Sequence, residues 1–245
     1  MLCSAYVGLN SATPCLAETV TADRPGFSAG TYTVEPGHFN VELGYEASFS
    51  NSGPSRTTHT APLMDVRVGV VPKLEIDLMW SGWSMDRSAG SSSTSTSDMA
   101  IGGKYRLASA PQYNITALGV LSLPTGSGVA SDQVDPTVSV IWDYAISDSV
   151  TAFGMAQVAS SVESGDRHYN LQPAVGLSFR HTDTLGTFVE FYSDMPLGPN
   201  TQRSDMMDAG ITYLLTDSTQ LDFSFGLSLD NRSDDFVGAG IATRF

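Results

Sequence analysis

Four histidines, His38, His59, His168 and His181, are the first residues to question for chemistry, and no two stand at metal-ligand spacing. A hydrolase built on the outside of a membrane wall would need a Ser and a His brought together and oriented by a third polar group. Ser and Thr lie near His59 and His181, but in so Ser-rich a chain that is nearly unavoidable, and solvated histidines are the simpler reading. The run DNRSDD at residues 230–235 offers carboxylate oxygens to Ca²⁺ without the ligand spacing of an EF-hand, so it reads as a solvated acidic loop. Gly102-Gly103-Lys104 opens no helical pattern and is no phosphate loop. Cys3 and Cys15 are the only cysteines, and a chain cleaved behind them keeps no thiol for a disulfide or a metal. The expectation is therefore no catalytic residue, no metal and no cofactor.

What remains is a set of charges embedded in otherwise small or apolar sequence. Arg67, Lys104, Arg106, Arg180 and Arg244 are the bases; Glu42, Glu46, Asp65, Glu75, Asp77, Asp143, Glu190, Asp208 and Asp222 are the acids. Opposed rows of acids and bases around a passage set a transverse field and tune what crosses it. The same rows can instead pair with one another and close the passage, and the sequence leaves both readings open.

The elements that must position these charges alternate. In QLDFSFGLSLD, residues 220–230, Leu221, Phe223, Phe225, Leu227 and Leu229 are apolar while Asp222, Ser224, Gly226 and Ser228 are small or polar. A strict period of two is a β-strand with two unlike faces. The same pattern yields twelve strand candidates, at residues 38–50, 59–71, 74–86, 98–108, 113–123, 135–147, 150–161, 169–182, 185–197, 204–216, 220–229 and 235–245. Short joins and longer polar joins alternate from one end to the other, as in an up-and-down meander and unlike a Greek key. Residues 88–98, SAGSSSTSTSD, read as a mobile polar loop.

The two faces assign themselves to two solvents. Strand one sets Phe39, Val41, Leu43, Tyr45 and Phe49 against Asn40, Glu42, Gly44, Glu46 and Ser48. Twelve strands close a barrel too wide to fill with these apolar residues. The polar face is made of Gly, Ala, Ser and Thr with charges of both signs, which is a poor water-exposed surface and a good lumen. Apolar residues then face lipid. Tyr105, Tyr113, Trp142, Tyr144, Phe179, Tyr213 and Phe245 fall near the short-turn ends and Trp80, Trp83, Phe191 and Phe236 near the long-loop ends, as two interfacial belts require. Phe153 and Phe188 break the pattern by standing on the polar side. A net charge of −14 excludes the basic footprint of a nucleic-acid binder. No run of about 18 apolar residues offers a spanning helix.

The expected architecture is all-β: a single antiparallel up-and-down transmembrane barrel of twelve strands, with short periplasmic turns and longer extracellular loops. Residues 1–17 end in the small-x-small pattern Cys15-Leu16-Ala17 and resemble a signal peptide without a positive n-region. Residues 18–37 form a periplasmic or plug segment, and residues 38–245 the barrel. In DRPGF, residues 23–27, an inward plug would bring Arg24 to Glu42 or Asp77; a flexible tail pinned by Pro25 and Gly26 is the alternative.

Several stretches carry a family resemblance. TADRPGFSAGTYTVEPGHFNVELGYE at residues 21–46, LSLPTG at 121–126, FVEFYSD at 188–194, and DAGITYLLTDSTQLDFSFGLSL at 208–229 running to GAGIATRF resemble the outer-membrane transporter family associated with the meta pathway of phenol degradation. The resemblance implies a channel in the outer membrane of a Gram-negative bacterium, passing small and often aromatic compounds. Its partners would be outer-membrane lipid, a small-molecule solute, and the barrel assembly machinery reading a last strand that ends on Phe245. A closed structural or adhesive barrel binding through its loops is the alternative, and a barrel hydrolase a third.

Overall fold

The computed structural model describes residues 19–128, 132–163, 165–198 and 201–245; the leader 1–17, with Cys3, Cys15 and the expected cleavage site, lies outside them. Alternation along the chain becomes fourteen strands: β1 (Phe39–Phe49), β2 (Arg56–Val71), β3 (Leu74–Trp80), β4 (Trp83–Ser88), β5 (Ser91–Thr96), β6 (Met99–Ser109), β7 (Tyr113–Leu123), β8 (Asp135–Ala145), β9 (Val150–Glu163), β10 (Asp166–Arg180), β11 (Leu185–Pro196), β12 (Ser204–Thr216), β13 (Thr219–Ser228) and β14 (Asp235–Arg244). Twelve of them, β1 to β3 and β6 to β14, make one antiparallel wall. The wall closes where β14 pairs with β1, in register from Asn40–Arg244 to Phe49–Asp235. Closure leaves no open edge at lipid depth, which is what a strand-built span requires.

The faces lie as the alternation requires. On β3, Ile76 and Leu78 are 45% and 42% exposed on the outside, while Glu75 and Asp77 between them are fully buried inside. On β13, Leu221, Phe223, Phe225 and Leu227 point out and Asp222 and Ser224 point in. Tyr105, Tyr113, Tyr144, Tyr213 and Phe245 are exposed around the turn-side rim, where Phe245 stacks on Phe39 at 5.0 Å. Trp83, exposed, meets Trp80 edge-on at 4.6 Å on the loop side.

Three expectations are corrected. The third strand is not continuous: it breaks at Ser81-Gly82 into β3 and β4. Gly82 holds φ +63°, and a Cβ there would sit 2.3 Å from the Ala61 carbonyl oxygen, so only glycine passes. Beyond the break β4 stays on β2 but leaves β6 and pairs with β5. The Ser/Thr run is therefore not a mobile loop. Its residues 91–96 form β5, whose Thr and alternating Ser suit an extended, water-exposed ladder, and the join is a tight turn at Ala89-Gly90 with Gly90 at φ +83°. The hairpin extends the wall past the loop-side rim. Lastly, Phe236 belongs to no outer belt: it shares the inward parity of Gly238 and Gly240 and overlies Gly226, where a Cβ would meet its ring at 2.0 Å. Phe153 and Phe188, off-pattern in the sequence, are inward too, 6.4 Å apart.

The interior is two-sided. Leu118, Ile141, Met155 and Ala174 from β7 to β10 form a buried apolar patch facing the lumen. Opposite, β1 to β6 present buried Glu42, Arg67, Glu75, Asp77 and Lys104.

If the outer face meets hydrocarbon, cost should depend on depth. Phe223→Arg, in the middle of β13, is expected to destabilise the barrel by about 2–4 kcal/mol in equilibrium unfolding from lipid vesicles, and Leu229→Arg near the rim by about 0–1 kcal/mol. Equal costs at the two positions would refute a lipid-facing wall.

Candidate functional site

The charges on β1, β2, β3 and β6 meet because the register places Glu42 beside Asp65, Arg67 beside Asp77 and Glu75 beside Lys104. Arg67, fully buried, donates from Nη1 to Glu42 at 2.9 Å and from Nε to Glu75 at 3.0 Å. Lys104 Nζ lies 3.1 Å from the same Glu75 carboxylate and also pairs with Asp23. Two bases thus hold three acids, of which only Asp23 keeps some exposure, at 14%. Each ion's desolvation must be offset by this pairing together with further hydrogen bonds to the carboxylates.

Asp23 comes from the chain ahead of the barrel, and so do most partners of the lumen charges. From Val20, whose N–H donates to the Asp217 carbonyl at the turn side, the segment climbs into the lumen, crosses it, and returns to begin β1. It pairs with the wall as no strand, so its amides need other acceptors. Glu42 accepts from the N–H groups of Asp23 and Arg24, each at 3.0 Å. Glu190 accepts from Phe27 at 2.9 Å and Ser28 at 3.2 Å, and Glu75 accepts from Val34. Carbonyls are met by bases, amides and a hydroxyl: Arg67 donates to Thr21 and Tyr32, Gln220 to Arg24, and Thr116 to Thr31. Burial raises the Asp23 carboxyl, but the Arg67 and Lys104 charges outweigh it and hold the group below its usual range.

Arg24 is seated by what the wall omits. Gly44 and Gly240 are register partners on β1 and β14, and a Cβ on either would lie 2.3 Å from the Arg24 side chain. Through this notch the guanidinium reaches Asp222, with Nε at 3.3 Å and Nη2 at 3.2 Å. Arg24 therefore pairs with Asp222, and it is its backbone N–H rather than its side chain that meets Glu42; Asp77 is not involved. On the apolar side Phe27 stacks on Tyr192 at 4.3 Å, within 5° of parallel, against the Leu118–Ile141 patch.

The remaining sequence candidates separate. Asp143 accepts from Thr31 and from Asn114, and Arg106 reaches Thr33 at 3.0 Å with Tyr32 beneath it at 5.8 Å. Arg180 lies outside the cluster, exposed at the turn-side mouth and donating to the Asp148 carbonyl, and Arg244 ends β14 on the same side. Glu46 accepts from its neighbour Ser48. Among the described residues, both oxygens of Asp77, both of Asp208 and Oδ1 of Asp65 have no donor. Sequence reasoning gave no individual role to Asp23 and Phe27 within its DRPGF segment or to Asn40 on the polar face of strand one, and it did not single out Thr116 or Tyr192.

The segment divides the lumen in two. A loop-side cavity of about 700 Å³ and a turn-side cavity of about 570 Å³ share Asp23, Arg24, Pro25 and Ala29 as their partition. Removing the central base should be severe: Arg67→Met leaves Glu42 and Glu75 buried and under-compensated, an expected loss of about 3–5 kcal/mol in vesicle unfolding, partly restored by adding Glu75→Gln. A loss under 1 kcal/mol would show the cluster to be solvated.

Comparisons with known proteins agree with this architecture. The barrel superposes on an outer membrane channel from Pseudomonas putida F1 with TM-score 0.69 and 11% identity, covering 90% of this chain and 100% of the other. The NanC porin gives TM-score 0.56 at 10% identity over 84% and 98% of the two chains. The translocator domain of the autotransporter NalP from Neisseria meningitidis gives 0.55 at 9% identity over 84% and 88%. At such identities the likeness is one of fold. No curated protein sequence matches the chain. The family described as the MetA-pathway of phenol degradation matches residues 22–245, nearly all of the described barrel and its inner segment, and the chain belongs to that family.

Proposed function

We propose that the protein is a channel of the Gram-negative outer membrane through which small molecules, apolar or aromatic ones included, pass passively. One observation carries this reading: a closed wall encloses two solute-sized cavities kept apart by a segment that is not part of the wall. Residues 20–35 act as a plug, and passage requires them to shift. The likeness to channels and porins supports the reading, and no chemical step is assigned. The longer loops then face outward and the short turns the periplasm. Residues 1–17 serve as the export signal, outer-membrane lipid surrounds residues 38–245, and the β14 strand ending on Phe245 is the element offered to the assembly machinery. The lumen charges in this reading hold the plug first and filter solute second.

The density of bonds on the plug favours a second reading, a permanently closed barrel. Single-channel recording in planar bilayers separates the two. The channel reading expects brief, small openings from the unaltered chain. Arg24→Ala, which empties the notch and frees Asp222, and Gly44→Val, which fills the notch, are each expected to raise open time several-fold. A chain silent in all three forms, though folded by its heat-resistant electrophoretic band, would be a closed barrel.

A further inference from the structure

Most lumen acids are accounted for. Glu42, Glu75 and Asp23 hold Arg67 and Lys104; Asp222 holds Arg24; Glu190 and Asp143 hold the inner segment. On the loop-side cavity the exceptions are Asp65, with Oδ1 unpartnered, and more completely Asp208. Asp208 borders that cavity, is 1% exposed, and among the described residues has no donor on either carboxylate oxygen. The register explains why. Its partners across the ladder are Glu190 on β11 and Gly226 on β13, an acid already engaged by the segment and a residue without a side chain. Nothing on the neighbouring strands can neutralise it, so wall pairing does not account for its presence.

The surroundings of Asp208 share its sign. Glu46, Asp65 and Asp194 line the same cavity, and Asp65 faces Glu42 and Met79 rather than a base. Among the described residues Arg24 is the only base lining it, and Arg24 is taken by Asp222. A second, independent feature lies alongside. The stacked rings of Phe27 and Tyr192 border the cavity with the inward-facing Met79 and Met206, and Met206 is the register partner of Tyr192 two residues from Asp208. Aromatic faces attract a cation held above them, and thioethers adapt to irregular apolar bodies.

We propose that the loop-side cavity is a binding site for an organic cation, a protonated amine on an apolar or aromatic body. The ammonium meets Asp208, and the body lies against Phe27, Tyr192 and the methionines. The proposal rests on the channel reading, since it names the solute class that enters first from the loop side. It also opposes aromatic carboxylates as preferred solutes, because the carboxylates of Asp208 and the other acids lining the cavity would repel them.

The test is calorimetric titration of the intact chain in detergent with 2-phenylethylammonium chloride, benzyl alcohol and sodium phenylacetate. Saturable binding of the ammonium is expected, at least about tenfold tighter than the alcohol, with no binding of the carboxylate. Asp208→Asn should remove that tenfold preference while keeping the heat-resistant barrel band, and Asp65→Asn should weaken it less. Should Asp208→Asn fail to fold, the wild-type ranking of the three probes still decides. Equal binding of ammonium and alcohol, preference for the carboxylate, or a preference untouched by Asp208→Asn would each overturn the site. Conductance in bilayers distinguishes the two layers of the argument: a chain that conducts without binding the ammonium sinks this inference and leaves the channel, while one that binds without conducting supports the site and sinks the channel.

Discussion

A stretch of backbone that crosses a barrel without joining its ladder must find an acceptor for each amide hydrogen or leave it stranded in a space with little water. That demand organises the interior. Glu42, Glu75 and Glu190 sit where the N–H groups of Asp23, Arg24, Phe27, Ser28 and Val34 arrive. A carboxylate has lone pairs for several donors, so Glu42 serves two amides and Arg67 together. An excess of acids, 26 against 12 bases, is compatible with this: amide dipoles as well as cations stabilise the lumen's carboxylates.

The lumen's two-sidedness follows from the same segment. Its first residues are ionic and meet the charged strands through Asp23 and Arg24; its middle is apolar and meets β7 to β11 through Phe27 and Ala29. Ile141, fully buried on a face otherwise lined by Ser139 and Asp143, makes sense only against it. Segment and wall are one packing problem, which is why the inner face could not be made uniformly polar.

The wall was legible and the interior was not, for a physical reason. Facing in or out is decided by parity, a local property, so Leu221, Phe223 and Phe225 could be placed from sequence alone. Which acid meets which base depends on stagger between strands and on height in the barrel, and these are properties of closure. Arg67 lies opposite Asp77 in register yet bonds to Glu42 and Glu75. Arg180 has the right parity and sits too near the mouth to join them. The break at Gly82 and the ordered Ser/Thr hairpin were hidden because their causes, a carbonyl approaching a missing Cβ and a partner strand, lie outside their own residues.

The notch at Gly44 and Gly240 has an evolutionary corollary. Two absent side chains, 196 positions apart on the chain but adjacent on the ladder, admit one long cationic arm from position 24. None of the three can drift alone: a methyl group at either glycine evicts the arm, and a shorter arm leaves a hole with Asp222 at its floor. Selection should therefore treat this scattered trio as a single heritable trait, exchanged together or kept together.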